Sequence, residues 1–325
     1  MKWGIMATGT IAAKFAGTIP EMKCGEEQIV AVASRNREKA AQFASEHGIP
    51  KAYGSYEEMV KDPEVEAVYI ATPNNLHYEN TLLCLNHGKH ILCEKPFTTR
   101  ADDAKTLYRL GDEKGLFVME AFWIRFLPLY RQLLSIIESG QYGALRHVRC
   151  DYGFIANGAR RERKFRSELG GGALLDIGIY NLGFLHMVMG TSPESFVSEA
   201  QLNEFGTDEF SIVQLAYPGG RTAHALQAIG MQIERQAALY FDKASIYLPD
   251  FQHAVSMTVK PVDGAPEEIS IPVDVNGFEY EIAEVTRCVK AGKTHSDIFR
   301  PEDSIATLAL MDDIRDSWNM KFAFE

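Results

Sequence analysis

Over roughly its first 120 residues the chain alternates short apolar runs with amphipathic stretches, and this alternation constrains its fold more than any other feature. Lys2–Ala7, Gln28–Ser34, Val65–Ala71, Lys89–Glu94 and Leu116–Ala121 read as strands. Their near-continuous apolar character calls for burial on both faces. Between them, Thr10–Ile19, Glu38–His47, Leu76–Asn86 and Thr99–Lys114 read as helices, with Gly48 and Gly88 as stops. Ser55-x-x-Glu58 is a capping box that opens one more helix. Strand–helix–strand repeats of this kind predict a parallel sheet with helices on both sides.

After Ala121 the pattern changes. Phe126, Leu129, Leu133 and Ile136 mark an amphipathic helix, and Arg146–Ile155 reads as a strand. Residues 172–189 are almost wholly apolar and predict a buried helix. Residues 194–273 are a succession of strands with a hairpin signal at Tyr217-Pro218-Gly219-Gly220. Two helices close the chain, one through Phe278, Ile282, Val285 and Val289, the other through Leu308, Met311, Ile314 and Trp318. A block of strands with flanking helices predicts an α+β domain with a large, mostly antiparallel open sheet. At 325 residues two domains are expected, 1–121 and 122–325, with the helix near 302–318 free to pack back on the first.

Net charge is −11, and such an acidic surface disfavours a nucleic-acid partner. No uninterrupted apolar run approaches the ~18 residues of a membrane helix, and Met1–Ile5 enters a strand without a signal-peptide core. The five cysteines, Cys24, Cys84, Cys93, Cys150 and Cys288, are widely spaced with no C-x-x-C. They read as reduced thiols of a cytoplasmic protein and not as a metal site.

The first strand runs into Ala7-Thr8-Gly9-Thr10-Ile11-Ala12, a G-x-G-x-x-A pattern with Ala7 in the first glycine position. Such a turn lets a pyrophosphate rest on helix N-terminal amides. The second strand ends in Ser34-Arg35-Asn36-Arg37 with Lys39 close by, and no acid stands where a ribose 2′-hydroxyl would be bound. A 2′-phosphate calls for a guanidinium fork and a hydroxyl, so these residues predict NADP(H) over NAD(H); the alternative is a solvated first helical turn.

Two strands end in polar clusters, Ala71-Thr72-Pro73-Asn74-Asn75-Leu76-His77 and Cys93-Glu94-Lys95-Pro96. Open parallel sheets bind ligands beyond such ends. Thr72, Pro73, Asn74, His77 and Glu94 are therefore candidate cofactor contacts. Lys95, whose amine burial and an oxidised nicotinamide would both depress, is a candidate proton shuttle. A lysine that merely reaches solvent is the alternative. In Gly170-Gly171-Gly172-Ala173-Leu174-Leu175-Asp176-Ile177-Gly178-Ile179-Tyr180, a helix places Gly172, Asp176 and Tyr180 on one face. Asp176 and Tyr180 on a greasy stripe need partners, either a hydroxylated ligand that the glycines admit or each other. Upstream, Arg160–Arg166 is a basic island that reads as a solvated loop, with Arg166 nearest the glycines.

The pieces WGIMATGTIA, VAVASR, ATPNNLH, CEKPFT, MEAFWIRFLP and FRSELGGGALLDIGIYN occur in that order over nearly the whole chain. Together they resemble the glucose–fructose oxidoreductase / inositol dehydrogenase (Gfo/Idh/MocA) family. The resemblance implies a Rossmann domain, an α/β C-terminal domain whose sheet forms dimers or tetramers, and dehydrogenation of a sugar, polyol or diol. It implies Lys95 as catalytic lysine and Asp176 in the substrate site, with Tyr180 where histidine is common. Tyr180, Trp123 and Arg125 look like the branch of dimeric dihydrodiol dehydrogenases and NADP-dependent xylose dehydrogenases. The leading expectation is an NADP-dependent oxidoreductase in which Lys95 and Tyr180 handle the hydroxyl proton, Asp176 orients the substrate, and Trp123, Arg125 and Arg166 lie along it. The alternative is a non-catalytic NADP- or sugar-sensing regulator on the same scaffold.

Overall fold

The computed structural model describes residues 1–23 and 27–325, so Cys24 lies outside the described residues. The chain divides into two compact units, residues 1–123 with 274–305, and residues 124–273 with 306–325.

In the first unit, β1 (Lys2–Met6), β2 (Gln28–Ala33), β3 (Lys51–Tyr53), β4 (Ala67–Ile70), β5 (His90–Glu94) and β6 (Val118–Ala121) form one parallel sheet in the order β3-β2-β1-β4-β5-β6. This is the doubly wound order of dinucleotide-binding sheets. Crossovers run through α1 (Thr10–Thr18), α2 (Arg37–His47), α3 (Tyr56–Val60), α4 (His77–Asn86) and α5 (Ala101–Lys114). The predicted stops hold: Asn36 caps α2 by accepting from Lys39 N, Gly48 ends it, and Ser55 Oγ accepts from Glu58 N at the start of α3. The strand β3 escaped the sequence reading because its three residues are only half-buried and too short to show a period. The core is aromatic around β1 and β4, where Phe15 stacks on Tyr69 with centroids 4.0 Å apart and meets Trp3 edge-on.

The second unit holds α6 (Pro128–Ser139), β7 (Leu145–Ile155), α7 (Gly158–Phe165), α8 (Ile179–Met189) and the strands β8 (Ser195–Leu202), β9 (Asp208–Tyr217), β10 (Arg221–Ala228), β11 (Gly230–Phe241), β12 (Ala244–Pro249), β13 (Ser256–Pro261) and β14 (Glu267–Ser270). Its eight-stranded sheet has the order β14-β13-β12-β11-β7-β10-β9-β8, antiparallel except for the β7–β10 pair. The stretch 167–189 is apolar and long enough by composition to cross a membrane, but 94% of its apolar window is buried inside the protein. The basic island is helical: α7 buries Phe165 and exposes Arg160, Glu162 and Arg163, while Lys164 turns toward Asp176, so the expected loop is a short amphipathic helix.

Where the expected division at 121 placed all later residues in one domain, the structure assigns 274–305 to the first unit. The cause is α9 (Phe278–Lys290), whose Phe278, Ile282 and Val285 are buried there. Asn276 also bonds Thr18 at the end of α1. Each such apolar side chain stabilises by ~1.5–3 kcal/mol when fully buried. The final helix, α10 (Pro301–Ser317), belongs to the first unit through Ile305 and to the second from Ala306 onward.

Candidate active site

Four neighbouring parallel strands of the first unit deliver their predicted residues at their carboxyl ends. After β1 the chain turns at Ala7, held at φ +88° with its N–H donated to the Ala33 carbonyl at 2.9 Å. Gly9 precedes α1, and no side chain caps that helix. A Cβ added at Gly9 would meet open space, so backbone approaches the surface here without an obstructing side chain. Thr8, Thr10 and Ile11 border the same turn, with Thr10 and Ile11 exposed.

At the end of β2, Ser34 Oγ accepts from Asn36 N, while Arg35, Arg37 and Lys39 are exposed. Among the described residues none of these three cations is in an ion pair, so three basic side chains cluster at this strand end, with Glu38 between two of them.

At the end of β4, Thr72 Oγ1 accepts from Asn80 Nδ2 at 3.0 Å, Pro73 is exposed and Asn74 half-buried. His77 departs from expectation. It is fully buried, with Nδ1 2.8 Å from the Pro96 carbonyl and Nε2 2.9 Å from the Thr72 carbonyl. A side chain enclosed in this way does not reach a cofactor; it ties the β4 turn to the β5 turn. Burial holds its imidazole below its ordinary pKa.

At the end of β5, Glu94 accepts a hydrogen bond from Tyr69 Oη and a 3.3 Å bond from Lys95 N. Burial raises its carboxyl above the usual range. Lys95 is half-buried and is followed by a cis bond to Pro96. Its ammonium lies within electrostatic reach of two buried carboxyls, Glu94 and Glu120. Glu120, on β6, accepts from Phe97 N at 3.0 Å and from Ser304 Oγ at 2.5 Å, and burial pushes it up to about 7. Sequence reasoning missed Glu120, though an acid inside the apolar run Leu116–Ala121 was the available signal.

Two further groups went unread. Lys14 places its ammonium 4.8 Å from the Trp123 ring and 4.4 Å from the Phe278 ring. Trp123 is thus buried against the first unit's own residues. Glu281 on α9 is fully buried with neither carboxylate oxygen hydrogen-bonded among the described residues, and burial raises it well above the usual range. Glu281 stands three residues after Phe278 and four before Val285, on the apolar stripe of α9, and that spacing was the available signal.

In the second unit, Gly172 is not helical. Its φ is +112°, and a Cβ there would stand 2.4 Å from Asp208 Oδ1. The bulk admitted by this glycine is the protein's own carboxylate, and at Gly171 it is the backbone of residues 164–166, which corrects the expectation of a ligand. Asp208 in turn accepts from Leu174 N and Ser211 Oγ, and burial pushes it up to about 6. Residues 174–178 form a π-turn, so the shared face expected for Gly172, Asp176 and Tyr180 does not form as an α-helical stripe.

Asp176 meets Lys164 Nζ at 2.5 Å, a partner the sequence did not disclose, while Arg166 stands against the glycines through its carbonyl, which accepts from Gly171 N at 3.1 Å. Arg166 is exposed and approaches Glu162 at 3.5 Å. Tyr180 is 5% exposed at the start of α8, and Arg125 is half-buried on a short 3-10 turn.

The family model described as oxidoreductase family, NAD-binding Rossmann fold, matches residues 1–122, and the GFO/IDH/MocA C-terminal domain matches residues 130–247. The trans-1,2-dihydrobenzene-1,2-diol dehydrogenase of Xenopus tropicalis is 35% identical over 321 residues, 96% of each chain. Its counterpart from Homo sapiens is 34% identical over 331 residues, 99% of this chain and 98% of the other. Among solved structures, an aldose–aldose oxidoreductase from Caulobacter crescentus complexed with glycerol superposes with a TM-score of 0.88 at 23% identity, covering 98% and 97% of the two chains. A 3-ketoreductase from Actinomadura kijaniata in complex with NADP and TDP-benzene gives 0.87 at 24% identity, covering 97% of each, and these two likenesses speak for the fold. Matches on both halves and over the full length agree with the doubly wound sheet and its strand-end cluster: the chain belongs to the GFO/IDH/MocA oxidoreductase family.

Proposed function

We propose that the protein is an NADP(H)-dependent dehydrogenase acting on a CH–OH group of a sugar, polyol or cyclic trans-diol. The observation that carries this reading is the row of groups at the carboxyl ends of β2, β1, β4 and β5. It comprises three cations without ion pairs, an uncapped helix start behind a bare glycine, and Lys95 beside two buried carboxyls. These residues fit a phosphorylated dinucleotide. Ser34, Arg35, Arg37 and Lys39 would hold the 2′-phosphate, Thr8 to Ile11 the pyrophosphate, and Thr72, Pro73 and Asn74 would border the nicotinamide. When bound, NADP(H) supplies the hydride acceptor or donor. The names of the relatives, diol dehydrogenases at 34–35% identity, support a hydroxyl-bearing substrate.

In this reading Lys95 stabilises the negative charge that grows on the substrate oxygen, and the Tyr180 hydroxyl exchanges the proton. Lys164 holds the Asp176 carboxylate in place, and Asp176 accepts from a substrate hydroxyl. The reading extends to a dimer in a reducing cytoplasm. Val197 and Ile212, exposed on the adjacent strands β8 and β9, support the dimer, and the buried free thiols of Cys84, Cys93, Cys150 and Cys288 support the compartment.

The test is NADP⁺ reduction across aldoses, polyols and trans-diols. Lys95→Met and Tyr180→Phe are each expected to lower kcat by ~10²–10⁴-fold, with NADPH binding by fluorescence titration unchanged. NADP⁺ should be preferred over NAD⁺ by ~10-fold or more, and Arg35→Ala should erode that preference. Full turnover in both active-site variants overturns the mechanism, and equal use of the two cofactors overturns the cofactor assignment.

A further inference from the structure

A cavity of about 650 Å³ opens within the second unit along the seam where β7 meets β11. The seam is irregular, with register shifts between Gly230 and Ile233 and between Ile233 and Gln236 setting extra residues of β11 against residues 151–155. Bulges of this kind splay a strand pair and re-aim its side chains. Gly153 lets the strands close below the opening, since a Cβ there would lie 2.7 Å from the Met231 carbonyl oxygen.

Tyr152 and Phe154, two residues apart on β7, form one wall. The Arg235 guanidinium lies 5.1 Å over the Tyr152 ring, and that of Arg160 lies 4.9 Å over Phe154. A guanidinium stacked on a ring keeps its edge N–H groups aligned for hydrogen bonding. Arg235 is partly committed, pairing with Asp250 and donating to Gln252 Oε1 at 2.7 Å. Arg160 is exposed and in no ion pair among the described residues. Gln232, Glu234 and Gln236 complete the polar lining.

This mixture selects the occupant by chemistry. Two arginines stand against Glu234 and Asp250, so an anion gains no net field. A bare hydrocarbon would desolvate the polar side chains without pairing them. Sugar hydroxyls both donate and accept, and so match guanidinium, amide and carboxylate together. The volume is in the range of ligand-binding clefts, and the site is open to solvent on one side. Phe154 also joins the cavity to the candidate site: Lys164 Nζ lies 5.9 Å from its centroid and 2.5 Å from Asp176 Oδ1. Tyr152 and Phe154 pack against the cluster containing Ala173 and Ile177, which flank Asp176.

We propose that this cavity is a second sugar subsite, taking a neutral glycosyl unit attached to the one whose hydroxyl is oxidised. A disaccharide or glycoside is then a better substrate than the free monosaccharide. The proposal rests on the dehydrogenase reading above for its reaction, but not for its binding. The kinetic arm compares kcat/KM for xylobiose with D-xylose and for cellobiose with D-glucose. The disaccharide is expected to lead by ~10-fold or more, and in Arg160→Ala and Gln232→Ala that ratio should fall to ~2-fold or less.

The binding arm uses saturation-transfer NMR on the NADPH-loaded Lys95→Met variant, which reads contact without turnover. Transfer to both rings of xylobiose or cellobiose, lost from the second ring when Arg160→Ala is added, supports the subsite. Should no carbohydrate be oxidised while the second ring still shows that contact, the subsite stands and the reaction assignment falls. Where carbohydrates are oxidised, a disaccharide advantage that is absent, or that survives both substitutions, overturns the proposal. Transfer confined to one ring overturns it too, even if monosaccharides are oxidised.

Discussion

Ala7 holds a backbone conformation, φ +88°, that a glycine adopts freely and an L-residue with a Cβ does not. The turn tolerates it because the Ala7 N–H is anchored to the Ala33 carbonyl and Ala71 N–H to the Met6 carbonyl, which fix the strand ends on both sides. Strain of about 1–2 kcal/mol at this residue exceeds the unfolded-chain entropy that a glycine would restore. Ala7→Gly is therefore expected to stabilise the protein by ~0.5–1 kcal/mol, raising Tm by ~1–3 °C in a calorimetric scan, with NADPH binding retained. A lowered Tm would show that Ala7 is at ease. The sequence disclosed the turn because the glycine pattern is local. It hid the Lys164–Asp176 pair, which spans twelve positions across a glycine turn. It hid His77 differently, since a histidine at a strand end looks the same whether it faces a ligand or two carbonyls.

At the level of elements, strands and crossovers of the first unit were readable because buried parallel strands leave uninterrupted apolar runs. The helix α7 was not, since seven mostly charged residues carry one apolar anchor, Phe165, and charge alone reads as loop. The π-turn at 174–178 was beyond reach because it depends on Asp208, brought from β9 to receive Leu174 N. Glu120 shows what such long-range placement does to an element. On β6 it binds Phe97 N after β5 and Ser304 Oγ at the start of α10, so one carboxyl pins three segments of the first unit. Burial raises it from 4.5 to about 7. The folded state therefore keeps its proton over a range where the unfolded chain has lost it. This favours folding below the unfolded value, and the advantage drains away as pH rises from about 4.5 to about 7, by up to ~3 kcal/mol. Glu120→Gln can still accept from Phe97 N and donate to Ser304 Oγ while removing the titration. Its Tm relative to wild type is expected to climb between pH 5 and 7 and to level off above. Parallel melting curves across that range would place the pH response elsewhere.

At the scale of the whole molecule, the order of the chain and the grouping of its parts disagree. The first unit is built from residues 1–123 and completed by 274–305, with the entire second sheet encoded between them. Sequence reading placed the boundary after Ala121 because the strand–helix grammar stops there, and the contribution of a distant amphipathic helix has no local signature. Yet α9 buries Phe278, Ile282 and Val285 within the first unit, Asn276 bonds Thr18, and Thr294 gives its carbonyl to Val118 N beside β6. Three such apolar groups at ~1.5–3 kcal/mol each approach the whole stability of a typical domain. A fragment of residues 1–123 is therefore expected to lack a cooperative thermal transition and to bind a hydrophobic dye. Appending residues 274–305 through a flexible Gly/Ser linker should restore both the transition and NADPH binding. A cooperative melt of the 1–123 fragment alone, with NADPH affinity equal to that of the full chain, would show that the Rossmann half is self-sufficient and that α9 is only packed against it.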